Sequence, residues 1–224
     1  MRRAETAALG LALISFLVSI YFYPQAPEQV ATHWNARGEV DGYSSKSFGL
    51  FVTPVLLVGV AVLFIAIPRI DPLKANIQQF RSYYDGLMIL ICLFLVGLDC
   101  WLALWSIGIR TSPNLFIPAG IGLLLFYMGI VSENSKRNWF VGIRTPWTLS
   151  SDTVWEKTHR LGGKLLKAAG VAAVAGVFFP GYSMFFVFVP VFAVTIYTVV
   201  YSYLEYQKET ASQGTSAGNT QSPL

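Results

Sequence analysis

Six stretches of this chain are apolar over lengths near the roughly 20 residues that a helix needs to cross the hydrocarbon core of a bilayer. They run approximately over 7–23, 48–67, 87–107, 115–131, 165–179 and 182–204. Such runs leave little choice of fold, because a buried backbone amide in lipid must be paired and only a helix pairs its own amides within one segment. Composition agrees: 54% of the residues are hydrophobic and 12% are charged, about half the charged share of an ordinary soluble domain. The expected fold is an all-α integral membrane protein of six transmembrane helices over 1–206. A polar tail over 207–224, rich in Ser, Thr and Gly, is expected to be disordered.

Charge placement sets the expected orientation. The first run follows Arg2 and Arg3 like a signal peptide, but it ends in Tyr21-Phe22-Tyr23-Pro24 rather than in small residues, so a retained anchor is expected. With the N-terminus on one side, only Arg37, Lys46 and Arg110 of the 16 Lys and Arg residues fall on the other. The basic side of a multi-pass protein is the cytoplasmic one. Both termini and the 132–164 connector are therefore expected inside the cell membrane, and the 24–47 segment outside. The net charge of +4 reads as topology and contact with membrane lipids rather than as direct nucleic-acid binding.

Within the spans, Cys92 and Cys100 are separated by about 12 Å of helix rise, too far for a disulfide. Ala168, Ala172 and Gly176, with Ala169 and Ala173 beside them, suggest a close helix contact along the fifth span. Gly181 turns the fifth span back into the sixth. Pro54, Pro118 and Pro190 each remove a backbone donor inside a helix. Asp99 lies near the middle of the third span, where a charge costs at least about 2.5 kcal/mol, and no Lys or Arg within another span can pair with it. It is expected to be protonated or bonded to Tyr, Trp, Ser or Thr side chains.

The two long connections hold most of the remaining polar chemistry. The outer one reads PEQVATHWNARGEVDGYSSKSFG, with turn signals at Asn35-Ala36-Arg37-Gly38 and Asp41-Gly42 and with Trp34 and Tyr43 at headgroup level or on a binding surface. One histidine, His33, among Glu28, Glu39 and Asp41 fits no metal-ligand spacing, so no metal and no cofactor is expected. The inner one, NWFVGIRTPWTLSSDTVWEKTHRLGGK, carries Trp139, Trp147 and Trp155 among many charges. A helix is expected to start near 150–153, capped by Ser151 or Thr153, with Thr153 and Glu156 at capping-box spacing. Val154, Trp155, Thr158, Leu161 and Leu165 share one face, as in an interfacial amphipathic helix leading into the fifth span.

These two connections carry a resemblance. PEQVATHWNARGEVDGYSSK resembles the DUF1648 segment, and RNWFVGIRTPWTLSSDTVWEKTHRLGGK resembles the signature of the SdpI family of immunity proteins against a sporulation-delaying toxin. The resemblance implies a membrane protein that protects its cell from a secreted peptide toxin. In the best-known system such a protein also holds a cytoplasmic autorepressor at the membrane. The matching inner positions are Gly142, Ile143, Arg144, Thr145, Pro146, Trp147, Thr148, Trp155 and Arg160; the outer ones are His33, Trp34, Asn35, Gly38, Asp41 and Lys46.

Ligand or toxin contact is accordingly expected at His33, Trp34, Asn35, Asp41, Lys46 and Asp99. Contact with a repressor or with lipid is expected at Arg137, Arg144, Thr145, Trp147, Trp155 and Arg160. The alternative is a proton-coupled transporter or exporter of an amphiphile, motivated by Asp99 and the prolines. An enzyme, with the inner arginines and His159 on a phosphate and Asp152 or Glu156 as base, has no nucleophile motif to support it, and no catalytic residue is expected.

Overall fold

The computed structural model describes residues 2–219, with side chains through 212. The elements in chain order are α1 (Arg3–Phe22), β1 (Gln29–Trp34), β2 (Val40–Ser45), α2 (Lys46–Ile70), α3 (Lys74–Gln79) and α4 (Arg81–Ser106). Then follow α5 (Pro113–Asn134), α6 (Pro146–Ser150), α7 (Asp152–Ala175) and α8 (Ser183–Asn219). Among the described residues, six helices are long and apolar enough to cross a membrane: α1, α2, α4, α5, α7 and α8. Pro54, Pro118 and Pro190 lie within α2, α5 and α8, and Pro68 joins them near the end of α2.

The spanning helices form two groups of three. In the first, α1 packs against α4 and α2, and α2 also packs against α4. Ala8, Ala12, Leu57, Ala61, Met88, Cys92 and Leu95 form its core. Asp99 of α4 is 1% exposed and accepts from Ser15 Oγ at 2.8 Å and Ser19 Oγ at 3.2 Å, both on α1. Of the partners expected for it (Tyr, Trp, Ser or Thr), two serines are observed, and they tie α1 to α4. At the same group's other end, buried Glu5 takes Arg69 at 2.9 Å and buried Arg81 at 3.3 Å, and Arg81 also pairs with Asp85 at 2.7 Å. Removing one member of such a buried cluster leaves an uncompensated charge.

In the second group, α5 and α7 run antiparallel with their backbones in contact. A Cβ at Gly122 would meet the Gly170 carbonyl, and one at Gly129 would meet the Gly163 carbonyl; the reciprocal clashes arise at Gly170 and Gly163. The seven-residue spacing on each helix returns to one face, so two close approaches stack along one seam. The expected small-residue stripe holds in part: Ala169 and Ala173 are buried and Gly176 packs on Phe186 of α8, while Ala168 is exposed and Ala172 half-buried. In lipid, such backbone proximity is a principal source of helix association. The two groups meet where Leu87 and Tyr84 of α4 pack with Val131 of α5, Ile67 of α2, and Ile77 and Phe80.

Three further features depart from the sequence reading. The outer segment forms an antiparallel hairpin that its turn signals alone did not indicate, with Gln29 opposite Ser45, Trp34 opposite Val40 and irregular pairing around His33; the turn over 35–38 is its tip, whereas Asp41 and Gly42 lie within β2. The fold is therefore helical with one small sheet rather than all-α. The amphipathic helix before the fifth span is not a separate element, since α7 runs unbroken from Asp152 to Ala175. Finally, α8 continues through Asn219, so the coil expected from residue 207 is not seen over 207–219; residues 220–224 lie outside the described residues.

The seam between α5 and α7 yields a direct prediction. Gly163→Val should lower the thermal midpoint and the monodisperse yield of detergent-solubilised protein, by a cost of about 1–3 kcal/mol for overpacking. Ala168→Val, on the exposed side of the same helix, should leave both unchanged in parallel unfolding and size-exclusion measurements.

Candidate functional site

The connector between α5 and α7 is built by a few buried side chains that satisfy its backbone. Asn138, 0% exposed, donates from Nδ2 to the carbonyls of Lys136 and Val141, both at 2.9 Å, and accepts on Oδ1 from the amides of Phe140 at 3.0 Å and Val141 at 2.7 Å. One side chain thus closes a loop that has no ladder of its own. Asp71, at the end of α2 and 1% exposed, accepts from the Trp139 amide at 2.9 Å. Asn76 donates to the Arg137 carbonyl at 2.7 Å. These two bonds fasten the connector to the first helix group.

His159 of α7 holds the next stretch. Its Nε2 accepts from the Ile143 amide at 2.8 Å and its Nδ1 lies 2.8 Å from the Trp155 carbonyl. A carbonyl only accepts, so this pair of contacts requires the neutral ring with its proton on Nδ1. The ring stacks on Trp155 at a centroid distance of 3.8 Å. Gly142, at φ 121°, passes directly over His159, and a Cβ there would strike Nε2. Trp155, 2% exposed, donates to the Ser135 carbonyl at 3.3 Å. It lies inside the connector's core and does not offer the surface expected to contact lipid or a repressor.

Thr145 and Thr148 form a reciprocal cap around α6: Thr148 N–H donates to Thr145 Oγ1 at 3.2 Å, and Thr145 N–H donates to Thr148 Oγ1 at 2.9 Å. Thr148 Oγ1 also donates to the Ile143 carbonyl at 2.7 Å, and Thr145 Oγ1 meets Ser202 Oγ of α8 at 3.0 Å. The capping box therefore sits one helix earlier than the Thr153–Glu156 spacing indicated. Ser151, the other sequence candidate, caps α7 by accepting from the Val154 amide at 3.2 Å. Arg137 closes the connector with an ion pair to Asp152 at 2.8 Å and a bond to the Leu149 carbonyl at 2.9 Å.

Facing outward are Arg144 and Arg160, both exposed, and Trp147, half-buried. Trp147 lies edge-on to Tyr203 at 5.1 Å. Arg144 donates to the Trp139 carbonyl at 2.5 Å. The six inner candidates therefore divide: Thr145, Trp155 and Arg137 build the connector, while Arg144, Trp147 and Arg160 form its face. The partners Asp71, Asn76, Asn138 and Ser202 were not singled out from sequence. His159 has both ring nitrogens engaged and is 1% exposed, so it is not a phosphate ligand.

At the opposite end, the hairpin is closed by Asn35, whose Oδ1 accepts from the amides of Arg37 at 2.9 Å and Glu39 at 3.1 Å, with Gly38 at φ 82°. The Asn35 amide group and the Arg37 guanidinium beside it hold the Glu39 carboxyl below the usual range. His33 and Asp41 lie 2.5 Å apart on the exposed side, and Lys46 pairs with Glu28 at 2.7 Å. Trp34 packs on Trp101 and Trp105 of α4 at 4.8 and 5.3 Å. Asn114 of α5 ties the tip to the far group by donating to the carbonyls of Ala36 at 3.4 Å and Pro180 at 2.8 Å.

His33, Trp34 and Asn35 line a groove of about 650 Å³ against Phe185, Phe188 and Phe192 of α8. Among the described residues, the Trp34 indole N–H reaches no acceptor. Asp99, by contrast, is buried against Ser15 and Ser19 and does not line the groove. Among the described residues, no group of three or more His, Cys, Asp or Glu side chains gathers to hold a metal ion.

The cap at α6 can be tested alone. Thr148→Val keeps the shape but leaves buried donors and acceptors unmade, a cost of about 1–3 kcal/mol. Tryptic cleavage after Arg144 in the folded protein should accelerate at least tenfold, with Thr148→Ser close to the parent rate.

Comparison with known proteins bears on both ends. Residues 134–202 match the model of the SdpI/YfhL protein family, and residues 10–58 match that of a domain of unknown function, DUF1648. The chain is 28% identical over 204 residues to a protein described as immunity protein SdpI, from Bacillus subtilis (strain 168). That similarity covers 91% of this chain and 96% of the relative. No solved structure matches significantly. The connector and α7–α8 carry one family match and the hairpin with α1–α2 the other, so the chain is similar to the SdpI/YfhL protein family at its C-terminal end and to DUF1648 at its N-terminal end.

Proposed function

We propose that this chain is an immunity protein that protects its cell's membrane from a secreted peptide toxin and also signals the toxin's presence to a cytoplasmic repressor. The observation that carries this reading is similarity to an immunity protein over nearly the whole chain, with each family match coinciding with a built surface at one end of the bundle. Thirteen of its 16 basic residues fall on the side of the termini and the connector, which supports a cytoplasmic connector and an external hairpin.

On this reading the peptide meets the outer groove. The phenylalanines and the Trp34 ring offer apolar area, and His33 and Asp41 supply a polar rim. Lys46 stabilises the hairpin through Glu28 rather than touching the ligand. The inner face of Arg144, Trp147 and Arg160 meets the repressor. Coupling between the ends requires two arrangements of the bundle that differ in affinity for the peptide. The direct link from hairpin tip through Asn114 into α5, and from α5 into the connector, supplies a continuous packed route.

The transport alternative draws on Asp99. Its bonds to Ser15 and Ser19 give it a structural reason to lie within the bundle, without proton traffic. Expression in a toxin-sensitive host tests both readings. The intact chain should restore growth in the presence of the peptide, Trp34→Ala should reduce that protection at least tenfold in tolerated dose, and Asp99→Asn should retain it. Arg144→Ala with Trp147→Ala should retain protection but lose repressor recruitment to the membrane fraction. Failure of the intact chain to protect against any cognate peptide would refute the immunity reading, and loss of protection in Asp99→Asn would favour transport.

A further inference from the structure

Between α8 and the α4–α5 pair lies a cleft of about 390 Å³, within the range of small-molecule sites. Leu87, Leu125 and Val131 form one wall, Val191, Val194 and Val199 the other, and residues 142–145 of the connector close its end. From Val191 to Val199 the cleft follows about 12 Å of helix rise, most of the roughly 15 Å that one leaflet contributes to the hydrocarbon core. Its few polar side chains are already paired: Ser132 with the His159 carbonyl, Ser135 with the Ser132 carbonyl, and Thr145 with Thr148 and Ser202. An extended peptide would find few partners for its backbone there, whereas an acyl chain needs none.

At the connector end stands Arg144, the single charged residue lining the cleft among the described residues. One of its N–H groups is held by the Trp139 carbonyl. Among the described residues no carboxylate pairs with it. The remaining guanidinium donors suit a phosphate, which they can grip in bidentate fashion. Trp139, 50% exposed, and the Trp147–Tyr203 pair stand beside it, as aromatic residues do at headgroup level. We propose that this cleft holds one acyl chain of an anionic phospholipid from the connector-side leaflet, with the lipid's phosphate on Arg144. The cleft shares Arg144 with the face proposed to meet the repressor but shares nothing with the outer groove, so lipid retention and protection from the toxin can fail separately.

Native mass spectrometry of the full chain in detergent, given equimolar phosphatidylglycerol and phosphatidylcholine, tests this. One phosphatidylglycerol should be retained per chain with at least tenfold preference. Arg144→Ala should bring the preference near parity, and Arg144→Lys should keep part of it. Thr195→Phe, which fills the cleft from the exposed side of α8, should abolish retention of both lipids while the protein remains monodisperse. Equal retention of the two lipids by the intact chain, an unchanged preference in Arg144→Ala, or undiminished retention in Thr195→Phe would each overturn the proposal. So would displacement of the lipid by millimolar inorganic phosphate, which would mark a site for a free anion. Retention of an added apolar helical peptide in place of any phospholipid would overturn it in favour of a peptide site.

Discussion

The backbones of α5 and α7 touch at two levels, Gly122 against Gly170 and Gly129 against Gly163, and the geometry of the second helix group follows from that contact. Two helices in lipid gain little from hiding apolar side chains, because lipid is as apolar as they are; close backbone approach and dispersion must hold them. Glycine at four positions permits it. Once α5 and α7 are clamped, the ends of the connector are fixed a short distance apart. A loop with fixed ends loses less entropy on ordering, so Asn138, His159 and the Thr145–Thr148 pair can hold it as a platform instead of a tether. The outward face of Arg144, Trp147 and Arg160 inherits its rigidity from that platform.

The first helix group solves a different problem. Its core is made of small and aliphatic residues, and its register is set by polar groups at two depths: Asp99 with Ser15 and Ser19 in one half, and Glu5 with Arg69 and Arg81 at the end. Each carboxylate joins α1 to another helix. The groups are joined to each other at both ends by side chains that bond backbone. Asn114 links the hairpin tip to the α7–α8 turn, and Asp71 and Asn76 link the α2–α3 region to the connector. Between those fastenings, α8 stands partly apart, and the lipid-sized cleft is the result.

Much of this was legible in the sequence where the signal is local. The six spans follow from run length, the connector's density of Trp and Arg marks it as more than a link, and a lone Asp99 in an apolar run calls for a proton or for polar side-chain partners. The hairpin was hidden because its alternation is broken: irregular pairing around His33 places residues that a strict period of two would separate. The closest approaches, at Gly163 and Gly170, went unnoticed because small residues occur around much of α7, and only the partner helix decides which face is used. Trp155 was placed on the apolar face of an amphipathic helix and expected to contact lipid or a repressor, yet a neighbouring His159 and a glycine at positive φ enclose it. The connector's anchors, Asp71 to Trp139 and Thr145 to Ser202, bridge 68 and 57 residues of sequence, and no local pattern announces them.

The central claim is that the connector is a held platform whose order derives from the α5–α7 contact. Amide hydrogen exchange in bilayer-reconstituted protein measures this directly. The amides of Phe140, Val141, Ile143 and Thr148, each bonded to a buried side chain, should exchange at least a hundredfold more slowly than an open loop, and Gly129→Leu should release all four together. Exchange of these amides at the rate of an unstructured peptide in the unaltered protein would contradict the account.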